Sequence, residues 1–532
     1  MTKLHIKWLV LVMSLAIAGM IVYWWLSPAA VVPHSSSAPQ NTQQELSVAS
    51  SKLRISLPSG FYAEAISLVL ETSGKQDVIR YTLDGSDPTK ASPVYKESLS
   101  IKETTVLKAK AYSPDSSSSP LVTASYFIGQ THPLAVFSLS TNPDNLWSNE
   151  KGIYVKGPKA SSKSPYEGAN FWQDWKIPLH LEFFESGGSL KLESDLSAEI
   201  FGGNTRALPQ KALALTTGKK DGQKLNAPLF PGQNILSPRS IVLRNSGQDF
   251  SQTHFRDGLV ATLLKDTGLD VQAYRPVVVY LNAQYWGIHD LREKIDESFL
   301  ASHHNVDEKD IDLLESDAIV KRGSNSTYLA LINYIQTHDL RQTDAYNYVS
   351  SQLDVMNFMD YHIAETIIAN VDWPDHNIRY WRTSEEGSKW KWIVYDSDQS
   401  FGDPATSSLH RILTTKKKSK EKDLLLSPAI LQQLIKNDTF REQFLTRFAF
   451  HLQQTFQSDR VISVIDAIYN QMKPEMGRHL DKWGGSMAEW ETNVDGLRKF
   501  AKERPSYMRK QLQDEFHLTE EQMLKYGLNQ QD

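Results

Sequence analysis

Apolar positions follow three different patterns along the chain, and each predicts a different kind of element. From Trp8 to Leu26 no residue is charged and nearly every side chain is apolar. Such a run, at about 1.5 Å rise per residue, approaches the ~30 Å hydrocarbon thickness of a bilayer. Lys3 and Lys7 precede it, no basic residue follows until Lys52, and Tyr23, Trp24 and Trp25 stand where an interfacial belt would lie. The positive-inside rule then puts the N-terminus in the cytoplasm. A cleavable signal peptide, with Ala29 and Ala30 near a cut, competes with this reading. The expectation is an uncleaved signal-anchor over residues 1–30, one membrane helix with the bulk of the chain outside the cell membrane, and a flexible linker over 31–51.

From residue 52 to about 130 the period changes to two. LRISLPSG, AISLVLET, VIRYTLDGSDP, LSI, TVLKAKAYS and LVTASYFIG read as short strands, with Val106, Lys108, Lys110 and Tyr112 alternating against Leu107, Ala109 and Ala111. Short strands at regular spacing, broken by turn residues such as Asp84-Gly85 and Asp87-Pro88, predict a small all-β sandwich. In residues 352–402 helical spacing takes over. Val355, Phe358, Met359, Ile363 and Ile367 mark one helix face, which should end before Pro374. NIRYWR and WKWIVYD follow as two strands joined by the turn-like SEEGSK, and the second ends in Asp396-Ser397-Asp398.

Composition narrows the possibilities. At 532 residues two or more domains are expected. With 62 acidic against 57 basic residues, giving a net charge of -5, there is no electrostatic case for nucleic-acid binding. The absence of cysteine excludes disulfides, thiolate metal sites and Cys nucleophiles. Neither a Gly-x-Ser-x-Gly elbow nor a Walker loop is present, so a serine hydrolase or P-loop NTPase has no support.

Helix, Asp-bearing loop, hairpin, acidic residues and glycine succeed one another in the order used by protein kinases. Asp372-Trp-Pro-Asp-His-Asn377 reproduces the Asp-to-Asn spacing of the kinase catalytic loop. Phosphoryl transfer needs a carboxylate to orient the acceptor hydroxyl and hard oxygen ligands for Mg²⁺, which an Asn carbonyl and a second carboxylate supply. Spacing alone leaves a plainer alternative open, in which Asp372 and Asn377 cap loops and Asp396 and Asp398 form a surface turn.

Two family resemblances add to this. PSGFY, YTLDGSDPT, SPVY and TTVLKAKAY resemble the immunoglobulin-like module at the C-terminus of chitobiases and hexosaminidases. NVDWPDHNIRYWR and WKWIVYDSDQSFG resemble the core of the spore coat protein H (CotH) kinases. IFGGNTRALPQKALAL, IVLRNSGQDFSQTHFRDGLV, VVYLNAQYWGIHDLREKID and WETNVDGLRKFAKERPSYMRKQL resemble further runs of that family, in one order over roughly residues 133–520. The resemblance implies an α+β fold, a two-lobed kinase-like domain over 131–525 preceded by the sandwich of 52–130 and the N-terminal helix. It implies an ATP- and Mg²⁺- (or Mn²⁺-) dependent transfer to protein Ser/Thr.

Carried over by motif, Asp372 is the expected catalytic carboxylate. Asn377, Asp396 and Asp398 are the expected metal ligands, Lys211 and Arg206 the phosphate contacts, and Glu293 a nucleoside contact. Asp257 would position Lys211 or a metal, or stand exposed on its helix. The family's glycine is replaced by Ala283. The competing reading is a non-catalytic envelope or adhesion protein with a pseudokinase scaffold, in which residues 52–130 bind a cell-surface glycan. The run Lys416, Lys417, Lys418, Lys420 and Lys422 reads as a solvated loop where an activation segment would fall. His303-His304 lacks any metal-binding spacing and reads as surface histidine.

Overall fold

The alternating runs after residue 52 form eight short strands: Leu53–Ile55 (β1), Gly60–Tyr62 (β2), Ile66–Leu68 (β3), Leu70–Thr72 (β4), Val78–Thr82 (β5), Leu99–Ile101 (β6), Thr105–Tyr112 (β7) and Val122–Ile128 (β8). They build a four-stranded sheet, β2-β8-β7-β5, and two small pairs, β1-β4 and β3-β6, around a core that includes Leu68, Ile79, Leu107 and Tyr126. This is a computed structural model; it describes residues 53–115, 117–218, 224–232, 238–415 and 427–529.

The run Trp8–Leu26, the linker after it and the lysines at 416–422 lie outside the described residues. Among the described residues no helix is long and apolar enough to cross a membrane. The expected single-pass membrane helix and localisation are corrected on that finding.

The next seven barrel-forming strands are Ala135–Ser140 (β9), Ile177–Phe184 (β10), Leu190–Phe201 (β11), Ala212–Thr216 (β12) and Ser240–Arg244 (β13), then Tyr274–Leu281 (β15) and Gln284–Glu293 (β16), with Asp270–Val271 (β14) leaving for another sheet. They close in the order β10-β11-β12-β13-β16-β15-β9. Every pairing is antiparallel except β15 with β9. Closure follows from the period of two: Phe137, Leu181, Leu213, Ile241, Val277 and Leu291 fill the interior.

The sandwich module is fastened to this barrel. On β7 and β8 both side-chain layers are buried, Val106, Lys108, Ser125 and Phe127 included. That layer carries lysine and serine, yet it faces β9 and β10. Ser125 Oγ lies 2.8 Å from Ser138 Oγ, and the Ser125 amide donates to Glu182. Phe127 meets Phe184 and Tyr280 edge to face, with ring centroids 5.5 and 4.9 Å apart. Alternation in the sequence marks two faces without saying which one a second domain covers.

A second sheet, β14-β20-β19-β17-β18, adds Ile311–Glu315 (β17), Ile319–Arg322 (β18), Arg379–Thr383 (β19) and Lys391–Val394 (β20). Helices dominate the C-terminal part, including Ser458–Trp483 and Met487–Phe516. They share one hydrophobic core with the predicted helix Val355–Ile367. That helix starts where the Asp354 side chain accepts the Asn357 amide at 3.1 Å. It ends as Ala369 turns left-handed, with φ of 54°. The architecture is thus mixed α and β, with an N-terminal β-sandwich region and a helical C-terminal part.

Where the family glycine is replaced, Asn282 and Ala283 form the two-residue turn joining β15 to β16, both at positive φ (45° and 64°). Such a turn favours glycine at its second position. Ala283→Gly is expected to raise stability by about 1 kcal/mol, the cost of holding alanine left-handed, as an increased midpoint in urea denaturation.

Candidate active site

Side-chain parity on the barrel strands decides what reaches the cleft between the barrel and the loops that follow helix Val355–Ile367. On β13, Ile241 and Leu243 point inward, so Val242 and Arg244 point out; on β16, Leu291 points inward, so Arg292 points out. Ala212, Val242, Arg244 and Arg292 accordingly line a cavity of about 580 Å³ with Gly202, Arg206, Asp372, Asn377, Asp396 and Asp398.

The loop residues are held by one another. The Asn377 Nδ2 donates to Asp372 Oδ2 at 3.0 Å and to the Asp396 carbonyl at 3.3 Å. The His376 ring nitrogen Nδ1 stands 3.1 Å from Asp372 Oδ1. Asn377 and Asp396 both have φ near 60°, a conformation that aims consecutive loop side chains into one space and suits Asn and Asp better than bulkier residues. Trp373, wholly buried beside Asp372, anchors the loop in the helical core.

Arg244 is the cation that faces the acidic pair of this cleft. Its Nη2 is hydrogen-bonded to Asp396 Oδ1 and lies 2.6 Å from Asp398 Oδ2. The Gln248 amide also donates to Asp398 Oδ2, at 2.9 Å. Gly247 permits this approach, because a Cβ there would fall 1.9 Å from Asp398 Oδ2. Burial raises the Asp398 carboxyl, Arg244 only partly offsets this, and Asp396 adds to it, leaving the group at about 7. Asp257, expected beside Lys211 or a metal or on an exposed helix face, is buried below the cleft. It bonds Arg292 and accepts the Ser397 amide at 2.9 Å. Burial alone would raise its carboxyl, but Arg292 and Arg244 hold it below the usual range.

Two expected contacts lie elsewhere. Lys211 shares the inward parity of Leu213, and its ammonium sits 4.0 Å from the centre of the Phe171 ring. It donates to the carbonyls of Arg206 and Leu208 at 2.6 and 2.9 Å, inside the turn that carries Arg206. Burial lowers it to about 8, and it does not line the cavity. Glu293, one residue past outward-facing Arg292, accepts the Ala273 amide at 3.0 Å and lies 2.9 Å from His303. It borders a separate cavity with Ser240 and Asp296. Arg206 does reach the cleft edge, where its Nε donates to the Gly202 carbonyl at 2.7 Å. His304 Nε2 lies 2.6 Å from Asp270 Oδ1, so both neighbouring histidines face carboxylates.

Arg244 was the residue that sequence reading passed over. Its signal was present: in Ile241-Val242-Leu243-Arg244 the arginine falls on the layer opposite two core residues. Among the described residues no group of three or more His, Cys, Asp or Glu side chains is arranged to hold a metal ion. Two carboxylates and an amide oxygen nonetheless fit a hard cation that draws its remaining ligands from phosphate and water. The donor set is the observation behind that fit: Asp396 and Asp398 converge on Arg244, and Asn377 is bonded to Asp372 and to the Asp396 carbonyl.

The family model described as CotH kinase protein matches residues 198–508, more than half of the chain. The chain therefore belongs to the CotH kinase family, and a kinase-like fold and a general use of ATP and divalent metal accompany that membership. The chitobiase/beta-hexosaminidase C-terminal domain matches residues 57–123, within the sandwich. No curated protein matches the chain.

Proposed function

We propose that this protein transfers the γ-phosphate of ATP to Ser or Thr of a protein substrate. The barrel and the helical part would be the two lobes of the kinase, meeting at the cleft. One observation carries this proposal most heavily: Asp372, Asn377 and Asp396 are joined by hydrogen bonds in the lining of a cavity large enough for a nucleotide.

In this reading Asp372 orients the acceptor hydroxyl and takes its proton, with Asn377 and His376 fixing its two oxygens. Asn377, Asp396 and Asp398 would hold the divalent cation, which supplies charge neutralisation at the phosphates. Arg244, Arg206 and the Gly202-Gly203 turn offer donors to the triphosphate, with Arg244 providing the cationic role expected of Lys211. The sandwich strand β8 braces the barrel through Ser125 and Phe127.

Incubation of residues 53–532 with γ-labelled ATP and Mg²⁺ or Mn²⁺ tests the proposal. Label is expected on Ser or Thr of the protein itself or of an added protein acceptor, and only with the metal present. Absence of label with either metal and every acceptor tried would count against a kinase.

A further inference from the structure

A buried carboxyl lies beneath the loop that carries Asp372. Glu365 occupies the last turn of helix Val355–Ile367 and is fully buried. Its Oε2 accepts the Asn370 Nδ2 at 3.0 Å, while Oε1 has no hydrogen-bond partner. Asn370 passes the contact on: its Oδ1 accepts the Asp372 amide at 3.2 Å, and its carbonyl accepts Arg411 Nη2 at 2.6 Å. The helix has already broken at left-handed Ala369, so the helical ladder does not reach the Asp372 amide and a side chain must satisfy it.

We infer that Glu365 is a positioning residue for phosphoryl transfer: through Asn370 it fixes the main chain of Asp372 and so the aim of that carboxylate. The inference rests on the kinase reading of the same site. Several groups face Glu365 from the surrounding elements. Asn370 comes from the loop, Tyr361 from its own helix, and Arg411 from helix Ser408–Thr414. Asp257 comes from helix Arg256–Leu264, and Tyr395 and Asp396 from the segment after β20. Burial, with Asp257 and Asp396 adding to it, pushes the carboxyl up to about 8. The shift favours the protonated acid, and what the contact with Asn370 requires of Glu365 is an acceptor oxygen. A glutamine supplies the same group.

Three proteins decide the matter: wild type, Glu365→Gln and Glu365→Leu. Each is assayed for transfer from labelled ATP, ATP–Mg²⁺ thermal shift, and hydrogen exchange of the segment 370–377. Glu365→Leu should lower kcat by ~10²-fold, the scale of a small misplacement of a reacting group. Its nucleotide-induced shift should persist, and exchange in 370–377 should quicken. Glu365→Gln should rescue both turnover and exchange protection. It should also abolish a pH dependence of the wild type, whose stability falls as pH rises from about 4.5 to about 8 because the native state keeps a proton that the unfolded chain has released.

Wild-type turnover and exchange in Glu365→Leu, or a Glu365→Gln as impaired as Glu365→Leu, would overturn the inference while leaving the kinase standing. A wild type that transfers nothing overturns the kinase reading and this role with it. The exchange data would then report only whether Glu365 orders the loop.

Discussion

Replacing Asp372 by alanine is expected to cut phosphoryl transfer by ~10²–10⁴-fold, the usual contribution of a positioned general base, and to leave the fold intact. The side chain is 31 % exposed, and its partners are two neighbours in the same loop. No buried group therefore loses its only partner. ATP–Mg²⁺ affinity should change little, since the proposed cation ligands remain. Steady-state kinetics with thermal denaturation of the same preparation check both halves. An alanine variant with wild-type turnover would remove Asp372 from the chemistry.

Arg244→Met should have the largest effect on stability. The guanidinium faces Asp396, Asp398 and, at 3.8 Å, Asp257. Removing it leaves buried carboxylates without most of their compensating charge, a change that costs about 3–5 kcal/mol when a buried pair is broken from one side. The sign of the pH dependence follows from Asp257, which is held below its ordinary value in the folded protein. Such a group adds stability above its unfolded value of 3.8 and loses it as pH falls. The gap between wild type and variant should therefore be widest near neutrality and shrink in acid. Urea denaturation at several pH values measures it.

The parts of this site that the sequence made legible are those set by local chain geometry. The helix before the loop, the hairpin after it and the six residues from Asp372 to Asn377 lie in one continuous stretch. Their order brings Asp372, Asn377 and Asp396 together almost unavoidably. Lys211 and Glu293 stand outside the cleft lining because a motif gives a position along a strand while parity gives the side of the sheet. Lys211 is the immediate neighbour of cleft-lining Ala212, and Glu293 of Arg292.

Closure of the barrel was not legible either, since it depends on β15 pairing in parallel with β9, strands far apart in sequence. The same holds for the covered face of β7 and β8, which carries Lys108 and Ser125 and which alternation marks only as one of two faces. Glu365 left a fainter trace, as an acid on a helix whose residues from Asn357 to Ile367 are all buried. A buried acid in such a place calls for a partner, and Asn370 is five residues on.

As proposed, the cleft takes ATP together with a divalent cation held by Asn377, Asp396 and Asp398. Titration calorimetry of ATP into residues 53–532, with Mg²⁺ and with a chelator, compared with Asp396→Asn, tests it most directly. Saturable binding that needs the metal and is lost in Asp396→Asn is the predicted result. Equal binding with and without Mg²⁺, unaffected by the substitution, would contradict the assignment of these residues to the cation.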